Sequence, residues 1–449
     1  MQKVQKAMKF SKVFIISLII CLCLSFSVLA TTARDITSQT SFKCKGIDKA
    51  KICDNSIDTY SSGKNIEISI TAKENIGGLY IKYDNFASSG LLDGEIAIGE
   101  YGFIHEYVPV SGKNSVRLSF NSADICDIIV LSEGDLPADI QVWQKGNAKT
   151  DLLLCSTHSD DDQLFFAGLL PIYAGVKGAN VRVAYFINHF DTHNRTHELL
   201  DGLWECGVKN YPDIGQFPDG YSESSKEALS FLESKGFDYD DVLTFQKSLL
   251  EKYKPLVVVL HDFKGEYGHG AHILNTESFV QAFESGEGYK PEKVYVHLYK
   301  ENPIVLDIDT PLEQFDSLTA FQVSQKAFRH HKSQHWTWFY EWLYGKNDTK
   351  THSSQIRSHH PSNYGLYYSR IEEDKEKNCL LENVTLYSER EFVLPETETE
   401  VPTKATVNLA PSPTSQSRPF YLMVPLAIAV LILIFIIYKT VSSINKRKR

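Results

Sequence analysis

The sequence predicts an α/β fold, a parallel sheet with helices on both faces, preceded by an all-β sandwich. Three observations carry this expectation. From residue 151 onward, short apolar runs of strand type alternate with helical segments. Before that point, residues 42–140 show alternating runs and no helical period. Two histidine-rich stretches fall where predicted strands end, and ligand sites of open α/β sheets lie beyond the carboxyl ends of their strands.

The 449 residues suffice for two or three domains, and the net charge of -10 argues against nucleic acid as a main partner. The 12 % aromatic share is compatible with β-rich, sugar-facing surfaces. Lys3, Lys6, Lys9 and Lys12 precede an apolar run ending in Val28-Leu29-Ala30, which reads as a secretory signal peptide, residues 1–30. An uncleaved N-terminal anchor is the alternative.

The β-rich segment, residues 42–140, contains "NIEISITA", "GGLYIKYD", "NSVRLSFN" and "CDIIVLSE", separated by turn residues. Strands at that spacing predict an antiparallel sandwich. The order "IDTYSSG", "GLYIKYD", "DIIVLSEG" resembles a discoidin-like domain, which implies glycan binding; a purely structural sandwich is the alternative.

From residue 151, "DLLLCST" reads as a buried strand, "QLFFAGLLPIYAG" as a helix and "ANVRVAYFI" as a strand. "THELLDGLWECG" is a helix stopped at Gly207, and "EALSFLESKG" and "DVLTFQKSLLEKY" are further helices. "PLVVVL" is a strand and "HILNTESFVQAF" a helix, completing a Rossmann-like pattern. Residues 394–418 are rich in Pro, Thr and Ser and predict a linker. The roughly 19 apolar residues of 420–438 would extend ~28 Å as a helix, close to a ~30 Å hydrocarbon core. The basic residues of 439–449 should then stay cytoplasmic, so the chain is expected to be a single-pass membrane protein with an extracellular catalytic domain.

Chemistry concentrates in "CSTHSDDDQLFF", residues 155–166, and "GEYGHGAH", residues 265–272. Three adjacent carboxylates repel each other unless a metal, a helix N-terminus or water offsets the charge. His269 and His272 stand three apart, so a first helical turn puts them on one face. Two histidines and a carboxylate make a three-ligand zinc site with one open position. A neighbouring carboxylate can take a proton from water, and a non-ligating histidine can protonate a leaving group. An Asp cluster capping a helix, a surface His pair and a 2-His-1-carboxylate iron site are the competing readings.

"HSDDD" before an apolar helix, "NRTHELLDGLWECGV" and "GEYGHGAH" resemble the PIG-L/LmbE-like de-N-acetylases. The resemblance covers roughly residues 150–300, and the following residues to about 392 are similar to the C-terminal extension of exported members. It implies a metal-dependent hydrolase that removes acetyl from N-acetylglucosaminyl groups, here of extracellular or cell-wall glycans. It also implies a zinc ion, other divalent metals being possible, on His158, Asp161 and His272. Asp160 matches the general base, His269 the general acid and Tyr267 an oxyanion donor, while Arg195 and Asp219 match substrate-binding positions. Ser159 replaces the usual proline and should loosen the loop. Asp162 replaces a glutamate and should keep its charge, and Ala271 replaces an aspartate that would tune His269. A metal-dependent hydrolase of a non-sugar N-acyl substrate and a catalytically weak glycan-binding surface protein are the rival functions.

His330, His331, His335, His359 and His360 are expected on solvated surface, the alternative being that they line a substrate cleft. Asn194, Asn347 and Asn383 begin glycosylation sequons, the first beside Arg195. Cys44 and Cys53 could pair, whereas Cys155 and Cys206 read as buried free thiols.

Overall fold

Residues 31–390, apart from 85, 147, 148, 191 and 287, are described by a computed structural model. The expected signal peptide and linker, the apolar segment 420–438 and the basic tail lie outside the described residues. Among the described residues no helix is long and apolar enough to cross a membrane.

The N-terminal strands follow a period of two, as half-buried strands must. Ile66, Ile68 and Ile70 are buried while Glu67 and Ser69 between them are not. β1 (Ser41–Lys45), β2 (Ser61–Tyr83), β3 (Gly90–Leu92), β4 (Ile96–Ile98) and β5 (His105–Ser132) hydrogen-bond in the order β1-β2-β5-β3-β4. Ser61 faces Ile125 and Thr71 faces Ser115, so partner numbers fall as the strand's own rise, the antiparallel sense. Both long strands double back. Leu79 faces Val130 on one side and Val108 on the other.

The second sheet contains β6 (Leu152–Ser156), β7 (Val181–Ile187), β8 (Asp213–Phe217), β9 (Val257–Leu260), β10 (Lys293–His297), β11 (Pro303–Val305) and β12 (Asn363–Ser369). Its order is β11-β12-β10-β9-β6-β7-β8. The strands from β10 to β8 pair in parallel, as predicted. β12 runs antiparallel to β10 and β11, so the C-terminal extension supplies an antiparallel edge to a mixed sheet.

Helices α1 (Arg195–Glu205), α2 (Ser225–Ser234), α3 (Tyr239–Tyr253), α4 (Gly270–Glu284), α5 (Ala320–Phe328) and α6 (Trp338–Tyr344) complete this part. Successive residues of β6 serve opposite faces. Leu152 and Leu154 share a core with Leu199 and Leu203 of α1 and Phe321 of α5. Leu153 and Cys155 share another with Leu249 of α3 and Phe279 of α4. That is why "DLLLC" is apolar throughout. The chain winds outward from β6 through β7 to β8 and from β9 to β10, so the strand order reverses between β6 and β9. A crevice opens at such a point.

One predicted helix is replaced. Residues 163–168 of "QLFFAGLLPIYAG" are turns, and the chain winds only from residue 169, running into the short π-helix Pro171–Val176. Gly168 sits at φ +90, where an added Cβ would lie 2.5 Å from Ile308 Cγ2. Pro171 contributes no N–H to any preceding turn. The expected Cys44–Cys53 pair is not formed: both are free thiols, as are the buried Cys155 and Cys206.

Candidate metal centre

The two histidine-rich stretches leave adjacent strands at the reversal point. β6 ends at Ser156, two residues before His158, and β9 ends at Leu260, directly before His261. His269 is the N-cap of α4, and His272 lies in its first turn, completely buried.

Three donor atoms converge there. His158 Nδ1 lies 3.1 Å from His272 Nε2 and 3.2 Å from Asp161 Oδ2. His272 Nε2 lies 3.3 Å from that same carboxylate oxygen. Donors ~2.0–2.1 Å from one tetrahedral ion stand about 3.3 Å apart, so the trio matches one face of a zinc coordination shell. The predicted ligands are brought together, and they fit a divalent metal.

The outer nitrogens settle which lone pairs face inward. His158 Nε2 lies 3.3 Å from Asp219 Oδ1, and His272 Nδ1 lies 2.6 Å from Glu266 Oε2. Each ring therefore donates outward to a carboxylate and keeps a bare nitrogen for the centre. His261 also approaches, with Nε2 3.5 Å from Asp161 Oδ2. Its Nε2, however, already accepts the Thr157 N–H at 3.1 Å, and its Nδ1 donates to Glu266 Oε1 at 3.0 Å. His261 supports the shell without joining it.

Glu266 was not singled out from the sequence. Its fully buried carboxylate meets His261, His272 and His297, the last at 3.0 Å. Burial opposes its ionisation, yet His261 and His272 hold its pKa well below the usual carboxylate range. It sits at φ 52, a strained conformation for a residue with a Cβ. "GEYGHGAH" contained the signal, a glutamate six residues before a ligand histidine. Only the fold shows that β9 and β10 deliver two more histidines to it.

Without metal the ligands hold protons. Burial pulls the His158 pKa down, but Asp219 and Asp161 push it up to about 10. Burial likewise opposes protonation of His272, and Asp161 and Glu266 raise it to about 9. Asp219, placed by resemblance at a substrate position, contacts a ligand histidine while its side chain stays 41 % exposed.

Asp160 is buried, and burial raises its pKa against the pull of Arg195. Arg195 Nη2 lies 3.2 Å from Asp160 Oδ1, and its Nε donates to Ser159 Oγ at 2.8 Å. Ser159 thus anchors the arginine; the expected loosening of the loop is not seen. The Tyr267 ring packs 5.5 Å from His269 and 5.7 Å from His272. Burial raises its pKa, which keeps the O–H a donor.

His269 departs from its expected character. Its Nδ1 accepts the Ala271 N–H at 3.2 Å, as the cap of α4. Burial, then His158 and His272, push its pKa down to about 3. At neutral pH it is an uncharged ring with its proton on Nε2. Ala271 offers no carboxylate to change that.

Two further expectations fail. Asp162 does not keep its charge: burial drives its pKa well above the usual range, and its carboxyl rests against the Gln163 amide. His331 is fully buried against Phe328, not on solvated surface, and His330, His335, His359 and His360 are partly covered. The sequon amide of Asn194 is engaged, donating to Asp58 Oδ1 at 2.7 Å.

No family model matches the chain, and no curated protein matches it. Among solved structures it is similar to N,N'-diacetylchitobiose deacetylase from Pyrococcus horikoshii, at 14% identity and TM-score 0.33 over 49% of this chain and 84% of that one. It is also similar to a deacetylase of teicoplanin biosynthesis, at 16% and 0.32 over 49% of this chain and 100% of that one. A third is GalB, a 4-carboxy-2-hydroxymuconate hydratase, at 18% and 0.31 over 50% of this chain and 99% of that one.

Proposed function

We propose that the chain is a zinc-dependent N-deacetylase that removes acetyl from N-acetylglucosamine-type groups of extracellular glycans. The observation that carries this reading is the trio of donors on His158, Asp161 and His272 with the buried Asp160 in the same loop.

A divalent metal held by that trio would supply Lewis acidity, polarising an acyl oxygen and acidifying a water. Asp160 is the base. Arg195 fixes one of its oxygens, and burial brings its pKa toward the range where a carboxylate both takes and returns a proton. Tyr267 and neutral His269 are the oxyanion donors, through O–H and Nε2–H. A well-placed donor of this kind lowers a barrier by about 3–4 kcal/mol. Because the His269 Nδ1 is committed to its own helix, we assign return of the proton to the amine to Asp160 and not to His269. The water oxygen bonds to the acyl carbon, the C–N bond breaks, and acetate and a free amine leave.

Exposed aromatic rings favour a sugar over an acylated amino acid. Tyr221, 74% exposed, lies 5.8 Å from the His269 ring. Trp338, 50% exposed, lies 5.6 Å from the Tyr267 ring. Acetate released from N-acetylglucosamine oligomers, with none from acylated amino acids, is the expected result; the reverse preference contradicts the sugar reading. The N-terminal strands are read as a discoidin-like sandwich that assists glycan capture. Residues 420–438 are read as a membrane anchor leaving the catalytic part outside. The linker 394–418 then gives a relaxed reach of ~25–30 Å. Protease added to intact cells should release an active fragment; protection until lysis contradicts the topology.

A further inference from the structure

A second cluster of metal-binding side chains lies where the N-terminal strands meet helix α1. Asp84 and Cys126 come from the strand-rich part, and His193 stands just before α1. One donor atom of each lies within 4.8 Å of the others. His197, in the first turn of α1, lies outside that group of three and approaches it from the cysteine side, its Nε2 3.8 Å from Cys126 Sγ. A thiolate and an imidazole on one tetrahedral zinc stand about 3.6 Å apart, from bonds of ~2.3 and ~2.0–2.1 Å.

The surrounding hydrogen bonds turn one nitrogen of each imidazole toward this cluster. The chain begins at the Asp201 carboxylate, which accepts from Gln141 Nε2 at 2.6 Å. Gln141 Oε1 then accepts both the Trp143 indole N–H at 2.9 Å and His105 Nδ1 at 2.8 Å. The indole can only donate, so this end of the amide is its oxygen, and His105 carries its proton on Nδ1. His105 Nε2 is therefore an acceptor, and the His197 Nδ1–H donates to it at 2.8 Å. The lone pair of His197 Nε2 then accepts the Cys126 S–H, the proton a metal would displace. His193 is fixed in the same way: its Nε2 contacts the Ile57 carbonyl, which can only accept. Its Nδ1 faces Asp84 Oδ1 as an ion pair, and neither atom has a further hydrogen-bond partner of its own. A cation bound there would take the place of the proton that this pair shares. Held by outer acceptors, both imidazoles have the arrangement of metal-ligand histidines.

We infer that Asp84, Cys126, His193 and His197 form a second, closed zinc site that fastens the N-terminal strands to helix α1. Its four protein donors leave no open position, so the site is structural. It is independent of the deacetylase reading. Its effect on that site would run through α1, because His193 and His197 bracket Arg195, which holds Asp160. The burial that pushes the Cys126 thiol up to about 12 without metal is compatible with this, since bound zinc deprotonates a coordinating thiol outright.

The test is cobalt substitution of the full-length chain, because the His158–Asp161–His272 trio contains no sulfur. Cobalt-loaded protein should hold two ions and show a near-ultraviolet thiolate-to-cobalt charge-transfer band. Cys126→Ser should abolish the band and leave one ion bound. Should that variant not fold, His193→Gln, at a partly exposed position, should also reduce the stoichiometry to one and weaken the band. His272→Ala should lose the other ion and keep the band, which separates failure of this proposal from failure of the deacetylase reading. Absence of the band in the parent protein overturns the proposal. A band that survives Cys126→Ser, and so arises from Cys44 or Cys53, overturns it equally.

Discussion

Replacing Glu266 with glutamine tests the shell that aims the ligands, and the structure fixes what should happen. The carboxylate accepts from His272 Nδ1 at 2.6 Å, from His261 and His297 Nδ1 at 3.0 Å each, and from the Asp262 N–H at 3.0 Å. A glutamine oxygen in the place of Oε1 can keep the last three contacts. Its NH2 then faces His272 Nδ1 and forces that nitrogen to become the acceptor. The proton moves to Nε2, the atom that must ligate. Loss of an outer-shell partner of this kind typically costs 10–100-fold in metal affinity, or ~1.4–2.8 kcal/mol. Disturbing one fully buried polar group should also lower the stability of the metal-free chain by ~1–3 kcal/mol. Competition with a chromophoric chelator measures the first effect and denaturant unfolding the second. A folded Glu266→Gln protein that binds zinc as tightly as the parent would refute the tautomer reasoning.

The Asp run should divide by role. Asp160→Asn should keep its metal and lose about 10²–10⁴-fold in turnover, whereas Asp161→Asn should lose metal affinity itself, both read by metal content against acetate release. His269→Gln retains a neutral N–H donor and should keep far more activity than His269→Ala. Equal loss in the two variants would restore His269 as the acid. Metal uptake by the His158–Asp161–His272 trio should expel up to about two protons at pH 7, because His158 and His272 are raised to about 10 and 9 without metal. Isothermal titration in buffers of different ionisation enthalpy counts them. For folding the sign follows from the same values. Both histidines bind protons more tightly folded than unfolded (~6.5), so the metal-free chain has this stabilisation in full below about pH 6.5. It loses it as pH rises through 9 to 10.

Local patterns at strand ends made a metal site legible, a His-Asp set after "LLLC" and a His pair at a helix start, while the choice of His158, Asp161 and His272 was implied by the family resemblance. The helices on both faces were legible in their apolar periods. What stayed hidden depends on distant segments meeting. Glu266 sits in a quoted motif, but its role requires His261 from the end of β9 and His297 from the end of β10. Asp162 is identical in type to its neighbours and buried like them, and it differs in lacking the Arg195 that faces Asp160 and the histidines that face Asp161. The antiparallel edge could not be read from β12 alone, since "NYGLYYS" states no partner direction. The helix expected at residues 163–175 is interrupted at Gly168, whose left-handed backbone sits where a Cβ would meet Ile308, far along the chain. Histidine 331 has the same origin: "RHH" reads as surface until Phe328 covers it.

Anomalous X-ray diffraction at the zinc edge, from crystals of the zinc-loaded protein, locates the catalytic ion directly. The expected peak lies within coordination distance of His158 Nδ1, Asp161 Oδ2 and His272 Nε2, and it is missing in His272→Ala. A peak centred on Asp161, His261 and His272, or a loaded protein with no peak among the three predicted donors, would contradict the proposed metal centre and the hydrolase built on it.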